Sequence, residues 1–540
     1  MFIRKTHSKN FTYLNLVRTY REDKKVKHEN IASLGRLDLL QKDDQLKSIA
    51  LSLLSFSKSP ACVLDDSSQV DEFLNWGFEL VFRFLFEKFQ FSSFFRQKNL
   101  RIKFDLVEVV FSLVLQRLAK PSSKLAATRC QSQFHRVGKF DLQHAYRSLD
   151  HLAKMKDDLE SHLFKVQKEV FGMSVDIVFY DVTTFYFESQ KPDDLKEFGY
   201  SKDHKFGEVQ VVAGLLIDQN ARPISFEIFK GNTFEGHTML TMLKKLKERF
   251  NIGRVIIVAD RGMQSKMNLL EIKKAGFNYI VGARLASLNS DLKKQILDLN
   301  NYQNILKTED EHLKSYSFKR KIPIKYQDAD QKKINIDLEE KIFCTWSLKR
   351  AKKDALDRER LVEKAKKLDG KPVESAKKRG FMKYLKKTKA ASSTFTFDQA
   401  TVDKEQKWDG LYGIATSELN LSRDDALKAY RTLWKIEQSF RVMKTDLRIR
   451  PIFHWTPKRI EGHFVLCLIA YAIERNLEKM LQDEKIFLSF AKIRETLWTL
   501  NYAQINVNNS SILIRTSINQ DAKNILSTLG IKPPQNTSIK

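Results

Sequence analysis

The spacing of apolar residues changes several times along the chain, and each change marks a different kind of element. Around Phe11-Thr12-Tyr13-Leu14-Asn15-Leu16-Val17 apolar and polar positions alternate, so residues 1–35 read as strands of a small hairpin. From Val70 to about Phe171 the period lengthens to that of helices: Phe78, Leu80, Val81, Phe84 and Leu85 recur at helical spacing, as do Leu106, Val109, Val110 and Leu113. Pro121-Ser122-Ser123 breaks this run, and Ser123 is placed to cap a following helix. The short helices there carry Lys124, Arg129, Arg136 and Lys139, a make-up shared by helix-turn-helix DNA readers and ordinary helical bundles.

Strand formers then take over. Val175 to Phe187 is the strongest β-branched and aromatic run in the chain. Two further strands, Glu208–Ile217 and Arg222–Phe229, are joined by the turn-forming Asp218-Gln219-Asn220-Ala221. After a helix over about His237–Phe250, the uniformly apolar Val255–Ala259 reads as a strand buried on both faces, with Asp260 at its carboxyl end. A helix from Ser265 and a strand over Tyr279–Ala283 follow. This order predicts an α/β protein with a mixed sheet, matching a ribonuclease H-like core. Polar, Lys-rich sequence from about Arg284 to Asp409, helical from Ser347 to Leu368, interrupts the core before a strand at Leu411–Thr416 and a helix from Asp424 to about Leu447. The expected division is 1–69, hairpin and linker; 70–171, helical DNA-binding region; 172–285, first part of the core; 286–410, basic insertion domain; 411–482, second part of the core; and 483–540, C-terminal region.

Charge sharpens this picture. The 540 residues hold 94 Lys and Arg against 66 Asp and Glu, a net +28, which predicts a polyanionic partner. Residues 348–389 alone hold 17 basic and 6 acidic residues. Within them Lys377-Lys378-Arg379 and Lys386-Lys387 are candidate phosphate contacts, the alternative being a solvated face. Cys62, Cys130, Cys344 and Cys467 form no CxxC pair, which points away from zinc and disulfides and toward a reducing compartment. No leader-like segment follows Met1, and Phe464–Ile473 is too short an apolar run to span a bilayer, so DNA or RNA is expected rather than lipid.

Candidate chemistry rests on carboxylates. Asp181 and Asp260 lie within or at the end of predicted strands, and on neighbouring strands they would share a hard cation such as magnesium or manganese. A third acid comes from the helix beginning at Asp424, where Tyr430, Glu437 and Lys444 recur every seven residues along one stripe. The bland alternative is a surface pair between Glu437 and Arg441. His204 and His237 lack the spacing of a zinc pair and read as surface or phosphate-contacting residues. Trp346 and Trp408 are core candidates whose indoles are also able to stack an extruded base.

These residues resemble a known family. Tyr180-Asp181-Val182-Thr183-Thr184-Phe185, Ala259-Asp260-Arg261-Gly262-Met263 and the stretch from Tyr430 to Lys444, centred on Glu437-Gln438-Ser439-Phe440-Arg441, resemble DDE transposases of bacterial insertion sequences, in the insertion-sequence-four family and its sixteen-thirty-four branch. The resemblance spans most of the chain. It implies that Asp181, Asp260 and Glu437 are catalytic and bind two Mg2+ ions, with Mn2+ as a substitute, and that Tyr430 and Lys444 touch DNA. The family's arginine slot falls on Leu433, leaving Arg441 as a candidate substitute. It further implies cleavage and strand transfer at terminal inverted repeats, double-stranded DNA at the ends and target as partner, a homodimer in the synaptic complex, and a cytoplasmic, nucleoid-associated bacterial protein. The competing readings are a DNA-binding protein that has lost cleavage and a ribonuclease H-like nuclease.

Overall fold

The computed structural model describes residues 1–22, 25–56, 69–200, 205, 207–233, 235–250, 255–260, 265–307, 312–327, 333–372, 380–387, 394–507 and 510–539. The chain divides into two compact units, one of residues 1–76, 499–518 and 532–540, the other of 77–498 and 519–531.

In the first unit, Phe2–Ser8, Phe11–Glu22 and Lys25–Arg36 form an antiparallel meander, one strand more than a hairpin. Leu14 and Val17 supply its buried apolar positions. A second antiparallel sheet pairs Val70–Asn75 with Asn501–Val507, and then adds Ser510–Arg515 and Thr537–Ile539. Val70–Asn75, expected to open the helical region, is therefore a strand. Its partner comes from the far end of the chain, so helical spacing in the neighbouring sequence could not reveal it.

The second unit is built on a nine-stranded sheet. Its strands are β1 Ile177–Tyr186, β2 Gln210–Asp218, β3 Pro223–Lys230, β4 Ile256–Ala259, β5 Asn278–Gly282, β6 Gln303–Lys307, β7 His312–Gln327, β8 Lys333–Ser347 and β9 Leu411–Thr416. They lie in the order β3-β2-β1-β4-β5-β9-β8-β7-β6. β1, β2 and β3 are antiparallel neighbours, whereas β4 and β5 run parallel to β1. The interval 286–410 thus contributes three strands to this sheet, extending it beyond β9, as well as the helix Leu348–Lys366.

Both faces of the central strands are covered, which explains why they are apolar without alternation. On one face Val178, Tyr180 and Val182 pack with Ile257, Tyr279 and Val281 against Met239, Leu243 and Leu246 of α4, Glu235–Glu248. On the other, Phe185 and Phe226 meet Phe464 of α8, Pro457–Asp483, at ring separations of 5.0 and 5.8 Å. Burying each such side chain contributes about 1.5–3 kcal/mol. The remaining labelled helices are α1 Leu106–Ala119, α2 Lys124–Cys130, α3 Leu142–Lys154, α5 Lys266–Lys274, α6 Arg423–Arg431 and α7 Trp434–Arg441.

Local capping set several of these boundaries. Ser123 and Ser265 accept from the backbone N–H of Ala126 and Asn268 at 3.1 Å and start α2 and α5. α8 begins with Pro457 behind the Thr456 cap. Where α8 crosses α3, Gly462 lies against backbone: a Cβ there would stand 2.0 Å from the Leu149 carbonyl oxygen. Among the described residues no helix is long and apolar enough to cross a membrane.

Candidate active site

β1 and β4 carry the two candidate aspartates. They run parallel with Tyr180 opposite Ala259, so Asp181 and Asp260 follow as neighbours in sheet register. Asp181 is half-buried, and its Oδ1 accepts from the Val182 N–H at 2.8 Å; Asp260 is exposed just past the end of β4. Alternation along β1 puts Thr183 on the same face as Asp181, one pleat further on. There the Lys444 ammonium donates to Thr183 Oγ1 at 2.8 Å and lies 5.4 Å from the Phe185 ring. Thr183 stands in the motif around Asp181 but is not among the candidate site residues of the sequence, although its position two residues after Asp181 on a strand was a usable signal.

The helix expected over Asp424–Leu447 is interrupted. α6 ends at Arg431, α7 starts at Trp434, and Val442–Asp446 is π-helical. Such π turns are frequent at functional sites. Tyr430, Glu437 and Lys444 therefore sit on three successive segments. α7 packs on β1 and is tied down twice. The Tyr471 hydroxyl bridges Ser439 Oγ at 2.6 Å and the Ala221 carbonyl at 2.9 Å, and Lys435 donates to the Gln219 carbonyl at 2.6 Å.

Glu437 is exposed on α7. Among the described residues no three His, Cys, Asp or Glu side chains converge closely enough to hold a metal; residues 261–264, beside Asp260, lie outside them. The structure thus brings together Asp181, Asp260 and the Lys444 segment, and sets the Glu437 helix on the same strand without gathering the three carboxyl groups. Two adjacent carboxylates offer hard oxygen donors of the kind that magnesium or manganese takes.

Comparison with known proteins assigns the chain. A family model described as the transposase DDE domain matches residues 174–473, which includes all three acids and every strand of the large sheet. A second, described as the N-terminal domain of IS1634 family transposases, matches residues 3–62. The chain belongs to the IS1634-family DDE transposases. Among solved structures, it is similar to a piggyBac transposase synaptic complex with hairpin DNA at 8% identity and a TM-score of 0.33, over 78% of this chain and 79% of that one. It is also similar to a Mos1 strand transfer complex at 15% identity and a TM-score of 0.15, over 33% of this chain and 58% of that one. Scores this low carry no argument about this transposase. No curated protein matches it.

The remaining candidate residues of this transposase are spread over the second unit. Tyr430 is half-buried, with its ring 5.8 Å from that of Tyr412, and Arg441 is exposed. Leu433, in the arginine slot, is only 8% exposed and packs inward. Lys386 pairs with Asp398 at 2.9 Å, whereas Lys387 projects from the same short strand into solvent. Lys377, Lys378 and Arg379 lie outside the described residues, as do His204 and Arg261-Gly262-Met263. Trp346 and Trp408 pack against the main core, and Trp346 Nε1 donates to the Asp409 carbonyl at 3.1 Å. Lys124, on the short helices whose make-up fits either a DNA reader or a helical bundle, is buried at 4% exposure.

Proposed function

We propose that this transposase binds the terminal inverted repeats of its element through its N-terminal regions, and that Asp181, Asp260 and Glu437 carry out strand cleavage and strand transfer on a ribonuclease H-like core. The strand order β3-β2-β1-β4-β5, three antiparallel strands followed by two parallel to the first, supports that core. The observation that carries the reading is the register that sets Asp181 beside Asp260, with Lys444 anchored on the same strand at Thr183.

In this reading Asp181 and Asp260 would hold Mg2+, or Mn2+ in its place, with Glu437 on α7 as the candidate third carboxylate. A bound metal pair would supply activation of the attacking water or 3′-hydroxyl and stabilisation of the leaving oxygen. Lys444 sets a positive charge one pleat from Asp181, where it orients a phosphodiester and offsets its charge. Tyr430, Arg441, Lys387 and the segment 377–379 extend the contact along the DNA backbone. Cleavage of two ends in one complex calls for a homodimer.

The test is a strand-transfer assay with paired end sequences. Glu437→Gln and Asp181→Asn should abolish cleavage and joining while leaving affinity for end DNA nearly unchanged. Cleavage retained in either variant refutes the assignment, and nicks without joined product in the wild type would mark a nuclease instead.

A further inference from the structure

Away from the paired aspartates, the second unit holds an open cavity of about 230 Å3 between the start of α2 and the segment that leads into α8. That is far above the roughly 10–15 Å3 that admits one water. Its lining is unusually one-sided. Arg117, Lys124, Arg448 and Arg450 contribute four strong bases and His454 and His463 two imidazoles, while no carboxylate among the described residues lines it.

The two innermost bases differ in how they are satisfied. Arg117, 5% exposed, donates to the carbonyls of Leu447, Arg448 and Ser122 at 3.1, 3.3 and 3.2 Å, so its hydrogen bonds are made but its charge is not balanced. Lys124 is 4% exposed, and its ammonium has no hydrogen bond or ion pair among the described residues. Burial, then the charge of Arg117, pushes the Lys124 ammonium well below its ordinary pKa. Burial and the charges of Lys124, Arg117 and Arg459 push His454 down to about 3. Such groups sit together at high cost unless an anion joins them.

We propose that this cavity is an oxyanion site that takes one phosphate group, held by Lys124 and Arg450 with the Arg117 charge behind them. Arginine and lysine together suit a tetrahedral, multiply charged anion better than a single carboxylate. The phosphate comes either from a DNA backbone or from free phosphate. None of Asp181, Asp260 and Glu437 lines the cavity, so the site stands independently of the catalytic assignment.

The test compares thermal unfolding of the full chain in inorganic phosphate and in chloride of equal ionic strength. Phosphate should raise the wild-type midpoint with concentration, by selective binding to the folded state. Lys124→Met should leave the phosphate-free midpoint no lower, because the amine it removes is buried and without a partner among the described residues, and should abolish the increment from phosphate. Arg450→Gln, which keeps the comparison alive if Lys124→Met does not fold, should weaken phosphate binding roughly tenfold, the loss of one charge-assisted contact. A short duplex DNA supplies the second arm. A variant-sensitive response to phosphate alone assigns free phosphate, and a variant-sensitive affinity for duplex assigns a backbone phosphate; either supports the site. Responses to phosphate and duplex that are absent, or identical in wild type and variants, overturn it.

Discussion

Replacing Arg222 by Met would strip a buried aspartate of its partner. Arg222 and Asp218 are 1% and 0% exposed at the turn between β2 and β3. Asp218 Oδ2 accepts from Arg222 Nε at 2.7 Å, and Oδ1 accepts from the backbone N–H groups of Asn220 and Arg222 at 2.8 Å. The guanidinium also donates to the carbonyls of Phe171 at 2.8 Å and Gly172 at 3.4 Å. Methionine keeps much of the packing and loses the charge and donors. Removing one member of a buried pair costs about 3–5 kcal/mol, because the other is left uncompensated. The two backbone donors that stay on Oδ1 favour the lower half of that range. Restoring neutrality with Asp218→Asn should recover part of the loss, so the double variant should be more stable than the sum of the single changes predicts.

The pH dependence fixes the sign independently. Burial already raises the Asp218 pKa above its ordinary value, with Arg222 the largest influence in the opposite direction. Without Arg222 it rises further. A carboxyl whose native pKa exceeds its unfolded one contributes stability below the unfolded value and loses it as pH rises toward the native one. The deficit of Arg222→Met should therefore be larger at pH 8 than at pH 5, measured by urea unfolding followed by circular dichroism. A variant within about 1 kcal/mol of wild type at pH 8, or a deficit that does not change with pH, refutes the reasoning.

Other consequences follow from single contacts. Lys444→Met removes the ammonium from Thr183 and should lower the strand-transfer rate by roughly 10²-fold, as loss of a charge-stabilising donor does, with little change in melting midpoint; an unchanged rate removes Lys444 from the site. Lys387→Ala should reduce the salt slope of DNA binding by about one unit, and more than Lys386→Ala does, because Lys386 is already paired with Asp398; equal slopes in a binding titration return this strand to a solvated role. Glu474, wholly buried beside Arg475, is pushed up to about 7 by its burial, so stability falls between the ordinary carboxylate pKa and pH 7. Glu474→Gln should flatten that decline in melting midpoint, and parallel pH profiles would show that Glu474 is ionised throughout.

Much of the core was legible because its signals are local. The runs that end at Tyr186, Asp218, Lys230, Ala259 and Gly282 declare themselves by β-branched and aromatic content, and Ser123 and Ser265 announce the helices they cap. The candidate acids were legible for the same reason: Asp181 lies within one of those strands and Asp260 directly follows another. The course of the helix that carries Tyr430, Glu437 and Lys444 was less legible, because a seven-residue spacing defines a face only while the helix stays α-helical, and this one breaks at Thr432-Leu433 and widens at Val442.

By itself the sequence determined the central strands and the capped helices, the excess of positive charge and the residue types able to hold a hard cation, since propensity, capping and composition act over a few neighbours. Only the tertiary structure decided which residues meet. It paired Val70–Asn75 with Asn501–Val507, set Asp181 beside Asp260 through parallel pairing, and gathered Arg117, Lys124, Arg450 and His454 around one cavity. Such encounters depend on burial shared between distant segments, and no window of neighbouring residues contains both sides of them.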